Sequence, residues 1–184
     1  MKYEEWERTL PEIIRTDSLW RKAAYRCALY LSELCWHDVS ALSHDTRTRP
    51  LSGSLYEAVG SIGAHLASAY SRQTDKERVR FYEYSLGSAR ESRHWYFESR
   101  HVIGTDVTDH RMNLITLIIR LIPQGADKPL ALAMLEQSPV YRAGQPDMPA
   151  AETVPRDWLE NVPMPRDDGK RRDLPPWHSP GVAG

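Results

Sequence analysis

The stretch TDKERVRFYEYSLGSARESRHWYFESRHVIG, Thr74 to Gly104, decides the fold. It opens on a capping box: the Thr74 hydroxyl is placed to accept the amide of Glu77, and the Glu77 side chain to reach back to the cap amide. It closes on Gly104, the residue type that most readily ends a helix. No proline interrupts it, and apolar residues return at helical spacing. The reading is a single long helix running to about Val102.

Working outward, the same periodicity recurs on both sides. Upstream, a short helix is expected over about Tyr3 to Ile14, broken near Pro11. A second starts at Asp17 or Ser18, both good N-caps, and runs to about Leu42 with Trp20, Ala23, Ala24, Cys27, Tyr30, Leu31 and Leu34 on its apolar face. Ser43 to Pro50 is a polar loop. The next helix covers about Leu51 to Ser71, its apolar face formed by Leu55, Ala58, Val59, Ile62 and Leu66. Downstream, Asp106 or Thr108 opens a last long helix through about Ile122, ended by Pro123-Gln124-Gly125, and Lys128 to Leu135 has room for one or two more turns. Four long helices on short loops predict an all-α, up-down antiparallel four-helix bundle over residues 1–136, with a short N-terminal helix. Nine of the 13 prolines fall at or after Pro139. Residues 137–184 are therefore expected to form a Pro-rich tail, irregular or disordered, that buries too little to offset its ordering entropy. Trp158-Leu159 and Pro175-Pro176-Trp177 are its apolar points, either unbound or docked on the domain or a partner.

Two local patterns refine the bundle. Gly60-Ser61-Ile62-Gly63-Ala64 and Gly87-Ser88-Ala89 place small residues in mid-helix, where they cost helix propensity and call for close backbone approach. The last helix carries Leu114, Ile115, Leu117, Ile118, Ile119 and Leu121 nearly all round, which points to cover on several sides and to an oligomer interface.

The composition excludes some classes. With 41% hydrophobic and 27% charged residues the chain belongs with globular proteins. No apolar run approaches a membrane span, since Arg120 interrupts the longest, and no membrane partner is expected. The acidic, amphipathic N-terminus lacks a basic and apolar lead-in, and no secretory signal is expected. Cys27 and Cys35, about 12 Å apart along one helix, are too distant for a disulfide and read as buried thiols in a reducing compartment, so a cytoplasmic location is expected. The net charge of −1 weighs against bulk polyanion binding but leaves room for a local basic stripe.

Ser54 to Arg72, reading SLYEAVGSIGAHLASAYSR, resembles the second helix of the "four helix bundle protein" family, with its R-A-x-x-S-I-x-x-N-I-x-E-G-x-x-R pattern. Phe81 to Glu91 resembles that family's F-x-x-x-A-x-G-S-x-x-E, and Ser18 to Trp20 with Tyr25 to Trp36 resembles its first helix. The resemblance spans about Tyr3 to Gln124. It departs from the pattern at His65, Ser68 and Ala69, where Asn, Glu and Gly are usual, which puts in doubt any function resting on those positions. The family includes proteins encoded in ribosomal RNA intervening sequences and accessory variability determinants of diversity-generating retroelements. The resemblance implies an up-down bundle assembled as a homopentamer and, in the retroelement branch, a basic surface that binds a reverse transcriptase and nucleic acid.

Three chemistries compete. Glu91-Ser92-Arg93-His94 and Glu98-Ser99-Arg100-His101 each place a carboxylate and an imidazole on one helix face; His94, Glu98 and His101, with His110, are weak candidate metal ligands. Di-iron bundles draw such motifs from two helices, and here both lie on one, so a solvated charged face is the competing reading. Nucleophilic catalysis lacks a frame: there is no Gly-x-Ser-x-Gly, and Gly60-x-x-Gly63 lies inside a helix rather than after a strand. No catalytic residue and no cofactor is expected, and the chain reads as a non-enzyme. Arg72, Lys76, Arg78, Arg80, Arg90, Arg93 and Arg100 form a candidate nucleic-acid surface with aromatic residues interleaved, opposed by Glu77, Glu83, Glu91 and Glu98. Lys170-Arg171-Arg172 is a further basic point, flanked by aspartates. The expected function is a homo-oligomeric helical adaptor that binds nucleic acid, a protein partner such as a reverse transcriptase, or both. The alternatives are a purely structural protein-interaction bundle and a metal-binding helical protein.

Overall fold

A computed structural model describes residues 2–122 and 160–165, and all regular structure among them is helical. The expected N-terminal helix is two: α1 (Tyr3–Thr9) and α2 (Glu12–Thr16), separated at Leu10-Pro11. The next helix starts later than its caps suggest. Asp17 does cap, its carboxylate accepting the Leu19 amide at 2.8 Å, but what it caps is a 3-10 turn, Ser18–Arg21. Lys22 is extended, and α3 (Ala23–Ser43) begins after it. Arg26 donates to the Trp20 carbonyl at 2.7 Å, so a side chain satisfies the acceptor that a continuous helix would have used.

α4 (Arg49–Tyr70) carries Pro50 in its first turn, where a missing amide hydrogen costs nothing. α5 (Asp75–Ile103) is the helix of the deciding stretch. Thr74 accepts the Glu77 amide at 3.3 Å as expected; the Glu77 carboxylate returns to the Thr74 hydroxyl at 2.8 Å. α6 (Thr105–Leu121) starts immediately after Gly104, earlier than Asp106 or Thr108. Gly104 has φ +90°, a conformation open to glycine, and that lone residue reverses the chain. The Thr108 hydroxyl donates back to the Gly104 carbonyl at 2.9 Å.

α4 lies against α3 and α5, and α6 against α5 and α3, closing a ring of four helices. Register fixes the directions. Trp36 meets Tyr56 across the α3–α4 loop, the Ser85 hydroxyl meets the Ile62 carbonyl across the α4–α5 loop, and Tyr96 and Arg111 converge on Asp38 from either side of Gly104. Residues equidistant from each turn face one another, so consecutive helices run antiparallel. α1 folds back onto the bundle: Trp6 is buried, its ring 5.0 Å from that of Tyr30 and 6.2 Å from that of Trp20. Val162 and Met164, from the Pro-rich segment, pack against the same core. The remainder of residues 137–184, the 136/137 boundary, Lys128 to Leu135, Trp158-Leu159, Lys170 to Arg172 and Pro175 to Trp177 lie outside the described residues.

Two expectations are revised. Leu114, Ile115, Leu117, Ile118, Ile119 and Leu121 are each 6% exposed or less within one chain, so their burial requires no neighbouring subunit. Of the mid-helix glycines, Gly63 answers to close packing, with the Ala28 Cβ 3.8 Å from where its own Cβ would stand, while Gly53, Gly60 and Gly87 face open space. The close seam of α5 is made instead by buried Ser85, Ala89, Ser92 and Ser99. Its serines donate to carbonyls on α4 or one turn back on α5. Gly60→Ala is accordingly expected to raise stability by about 1 kcal/mol in urea unfolding, the helix-propensity difference with nothing to clash.

Candidate functional site

Inside the bundle, one charged network ties three helices together. Asp38 of α3, Tyr96 of α5 and Arg111 of α6 are each 0% exposed. Arg111 Nε donates to Asp38 Oδ2 at 2.8 Å and Nη2 to Oδ1 at 3.0 Å, a two-pronged pair, and the Tyr96 hydroxyl donates to Oδ2 at 2.9 Å. Arg111 Nη1 lies 2.9 Å from His110 Nδ1, and Nη2 lies 3.8 Å from the Met164 sulfur. Among the described residues no buried side-chain nitrogen or oxygen lacks a partner. Burial alone would lower the Arg111 guanidinium; the Asp38 carboxylate outweighs it and holds the guanidinium above its ordinary value. Burial, and then Asp38, pushes the Tyr96 phenol well above its ordinary 10.0. Burial lifts the Cys27 and Cys35 thiols to about 12, so neither is a nucleophile near neutrality. With its carboxylate already holding three hydrogen bonds, the network acts as a lock between helices.

The sequence carried a signal for this lock that periodicity alone passes over. Asp38 continues the apolar series of Leu31, Leu34 and Cys35, and Arg111 sits between Val107 and Leu114. Opposite charges on apolar positions of two helices are a pair waiting to meet.

The candidate metal ligands are not brought together. His94, Glu98 and His101 are exposed on α5, and His110 is on α6 beside Arg111. His94 and His101 stand two turns apart, about 10 Å along the axis. Among the described residues no group of three or more His, Cys, Asp or Glu side chains is placed to hold a metal ion.

The basic residues fall into separate groups. Arg72 lies over the Phe81 ring at 4.5 Å; Arg80 Nε donates to the Tyr84 hydroxyl at 2.6 Å; and the His65 ring of α4 stands 6.3 Å from Phe81 and 5.5 Å from Tyr84. At 3.6 residues per turn, Arg90, Arg93 and Arg100 fall toward the other edge of α5, where Arg100 covers the Phe97 ring at 4.0 Å. Arg78 is paired with Asp75. Lys76 is exposed, and Glu83, Glu91 and Glu98 run exposed between the two groups. The expected stripe is thus a cation–aromatic knot at the α4–α5 end and a smaller one further along.

Fold and site together define the class: an all-α bundle closed by an internal charge lock, with cation–aromatic clusters outside. Among the described residues no helix is long and apolar enough to cross a membrane. Comparison with protein-family models, with curated proteins and with solved structures finds no match to this chain.

Two outcomes test the lock. Asp38→Ala or Arg111→Ala is expected to cost about 3–5 kcal/mol in denaturant unfolding, and the double change Asp38→Leu with Arg111→Met far less than the sum, because only the single variants strand a buried charge. Stability is also expected to fall in alkali. The Tyr30 phenol and both cysteine thiols are raised to about 12 and the Tyr96 phenol is raised well above its ordinary value, so their contribution is full below the unfolded values of 9.0 and 10.0. It is lost progressively as pH climbs from 9 through the folded values. Circular dichroism against pH, with tyrosinate absorbance recorded in parallel, checks this.

Proposed function

We propose that the chain is a non-enzymatic, cytoplasmic helical adaptor that binds single-stranded nucleic acid through the knot of Arg72, Arg80, Phe81, Tyr84 and His65. The carrying observation is the pairing of two guanidiniums with three rings on one partly exposed patch. Rings offer faces on which bases stack, worth about 1–3 kcal/mol per base, and cations neutralise the phosphates between them. Small residues adjoin the knot, Ser61, Ala64 and Ser68 on α4 and Gly87 and Ser88 on α5, while Glu77 and Glu83 stand exposed beside it on α5. A strand has room to lie there. The resemblance to the four helix bundle protein family supports the same reading and adds two parts, a homo-oligomer of pentameric size and a protein partner such as a reverse transcriptase. Repetition of the knot around a ring multiplies the phosphates it neutralises, which compensates for the near-zero charge of one chain. Under this reading residues 1–136 form the up-down bundle and 137–184 an irregular Pro-rich tail.

Fluorescence anisotropy with labelled single-stranded RNA and DNA over a salt series tests the proposal. Binding that weakens with salt is expected. Arg72→Ala with Arg80→Ala should lower affinity at least tenfold and flatten the salt slope by about 0.7 for each phosphate left without its cation. Phe81→Ala with Tyr84→Ala should lower affinity and leave the slope unchanged. No binding at low salt removes the nucleic-acid role and leaves a protein-interaction bundle; native mass measures the oligomer separately.

A further inference from the structure

The outer face of α3 and α4 carries an aromatic pair that lies outside the hydrophobic core. Trp36 is 53% exposed and Tyr56 47%, yet their rings stand edge to face, 6.0 Å between centroids. Gly53 and Gly60 lie about one turn to either side of Tyr56, and a Cβ at either would meet nothing within 4 Å. Bare helix backbone thus flanks a raised pair of rings. Among residues within one turn of the pair, the outward charges are acidic. Glu33 is joined to His37 at 4.0 Å, Glu57 is exposed, and there is no lysine or arginine; Asp38 is occupied in the lock.

An exposed aromatic pair beside carboxylates fits a polyproline II segment with basic neighbours. Proline rings stack on aromatic rings, the helix is preformed so little entropy is lost, and cations meet the carboxylates. The chain's own sequence pairs prolines with basic neighbours in this way: Lys170-Arg171-Arg172-Asp173-Leu174-Pro175-Pro176-Trp177. The described stretch just before it already binds the bundle as irregular chain rich in proline, with Val162 and Met164 packed on the core around Pro163. It also lies at the right level. The Met164 sulfur rests on Arg111, Arg111 grips Asp38, and Asp38 is two residues from Trp36. Ten extended residues from Pro165 to Pro175 span up to roughly 33–36 Å, more than the ~20–24 Å breadth of two helices side by side.

We propose that the Trp36–Tyr56 face is the docking site for the chain's own Lys170–Trp177 segment. Its prolines lie on the two rings and its basic residues face Glu33 and Glu57. Disulfide trapping in the full-length chain tests it. His178→Cys is combined in turn with Gly53→Cys, Gly60→Cys or, as control, Gly87→Cys, all open positions; Cys27 and Cys35 are buried and stay out of the reaction. Under mild oxidation, intramolecular disulfide should form at least tenfold faster with the α4 positions than with the control. Trp36→Ala with Tyr56→Ala should abolish that advantage, and Glu33→Lys with Glu57→Lys should reduce it. Equal rates at all three positions, or an advantage that survives removal of both rings, overturns the proposal. Covalent dimers formed through the α4 positions also overturn it, because the occupant is then a second copy's segment or none.

Discussion

The structure depends on a bidentate bond between Arg111 and Asp38, both fully shielded from bulk solvent. Each charge alone would be strongly disfavoured there, and removing either partner strands the other. Tyr96 completes the set by spending its phenol proton on the same carboxylate. Apolar contact between helices is tolerant of sliding, because one aliphatic side chain substitutes for another at little cost. A paired charge is not tolerant. With residues from α3, α5 and α6 required at one point, the helices have one register in which the interior is neutralised.

The rest of the interior is consistent with that point. The α5 seam of serines and alanine lets neighbours approach, and each buried hydroxyl is satisfied by a carbonyl on α4 or one turn back on α5. Trp6 and Tyr3 close over Tyr30, so the N-terminal helix covers an aromatic surface that the four long helices leave. Met164 closes over the Arg111 guanidinium itself. The lock therefore lies beneath a part of the chain remote in sequence, and the tail segment and the bundle share one polar centre.

Much of this was legible in the residue order. The capping box at Thr74, the glycine at 104 and the break at Pro11 act locally, through a few hydrogen bonds and one ring constraint, and the helix ends they mark stand close to where the sequence puts them. What was not legible depends on contacts between distant residues. Asp17 has the chemistry of a helix cap, but the residues it caps form a 3-10 turn whose Trp20 carbonyl is taken by Arg26, a partner six residues on that local pattern does not reveal. An aliphatic helix reads the same whether its second face meets another chain or its own, so Leu114 to Leu121 suggested a subunit contact. Glycine in mid-helix likewise reads the same whether it admits a neighbour, as Gly63 does, or stands clear, as Gly60 does. The arginines of α5 looked like one stripe because spacing along a helix hides which edge each side chain leans toward and which ring it meets.

The two helices joined at Gly104 differ in length: α5 has 29 residues and α6 has 17, about 43 Å against 25 Å. Counted back from the shared turn, α6 stops beside Gly87, with the opening three turns of α5 still ahead. α6 thus ends partway along α5, near its mid-height, and not at its tip. Arg80 and Tyr84 belong to those opening turns, so the patch they form takes its neighbours from α4 and leaves α6 out.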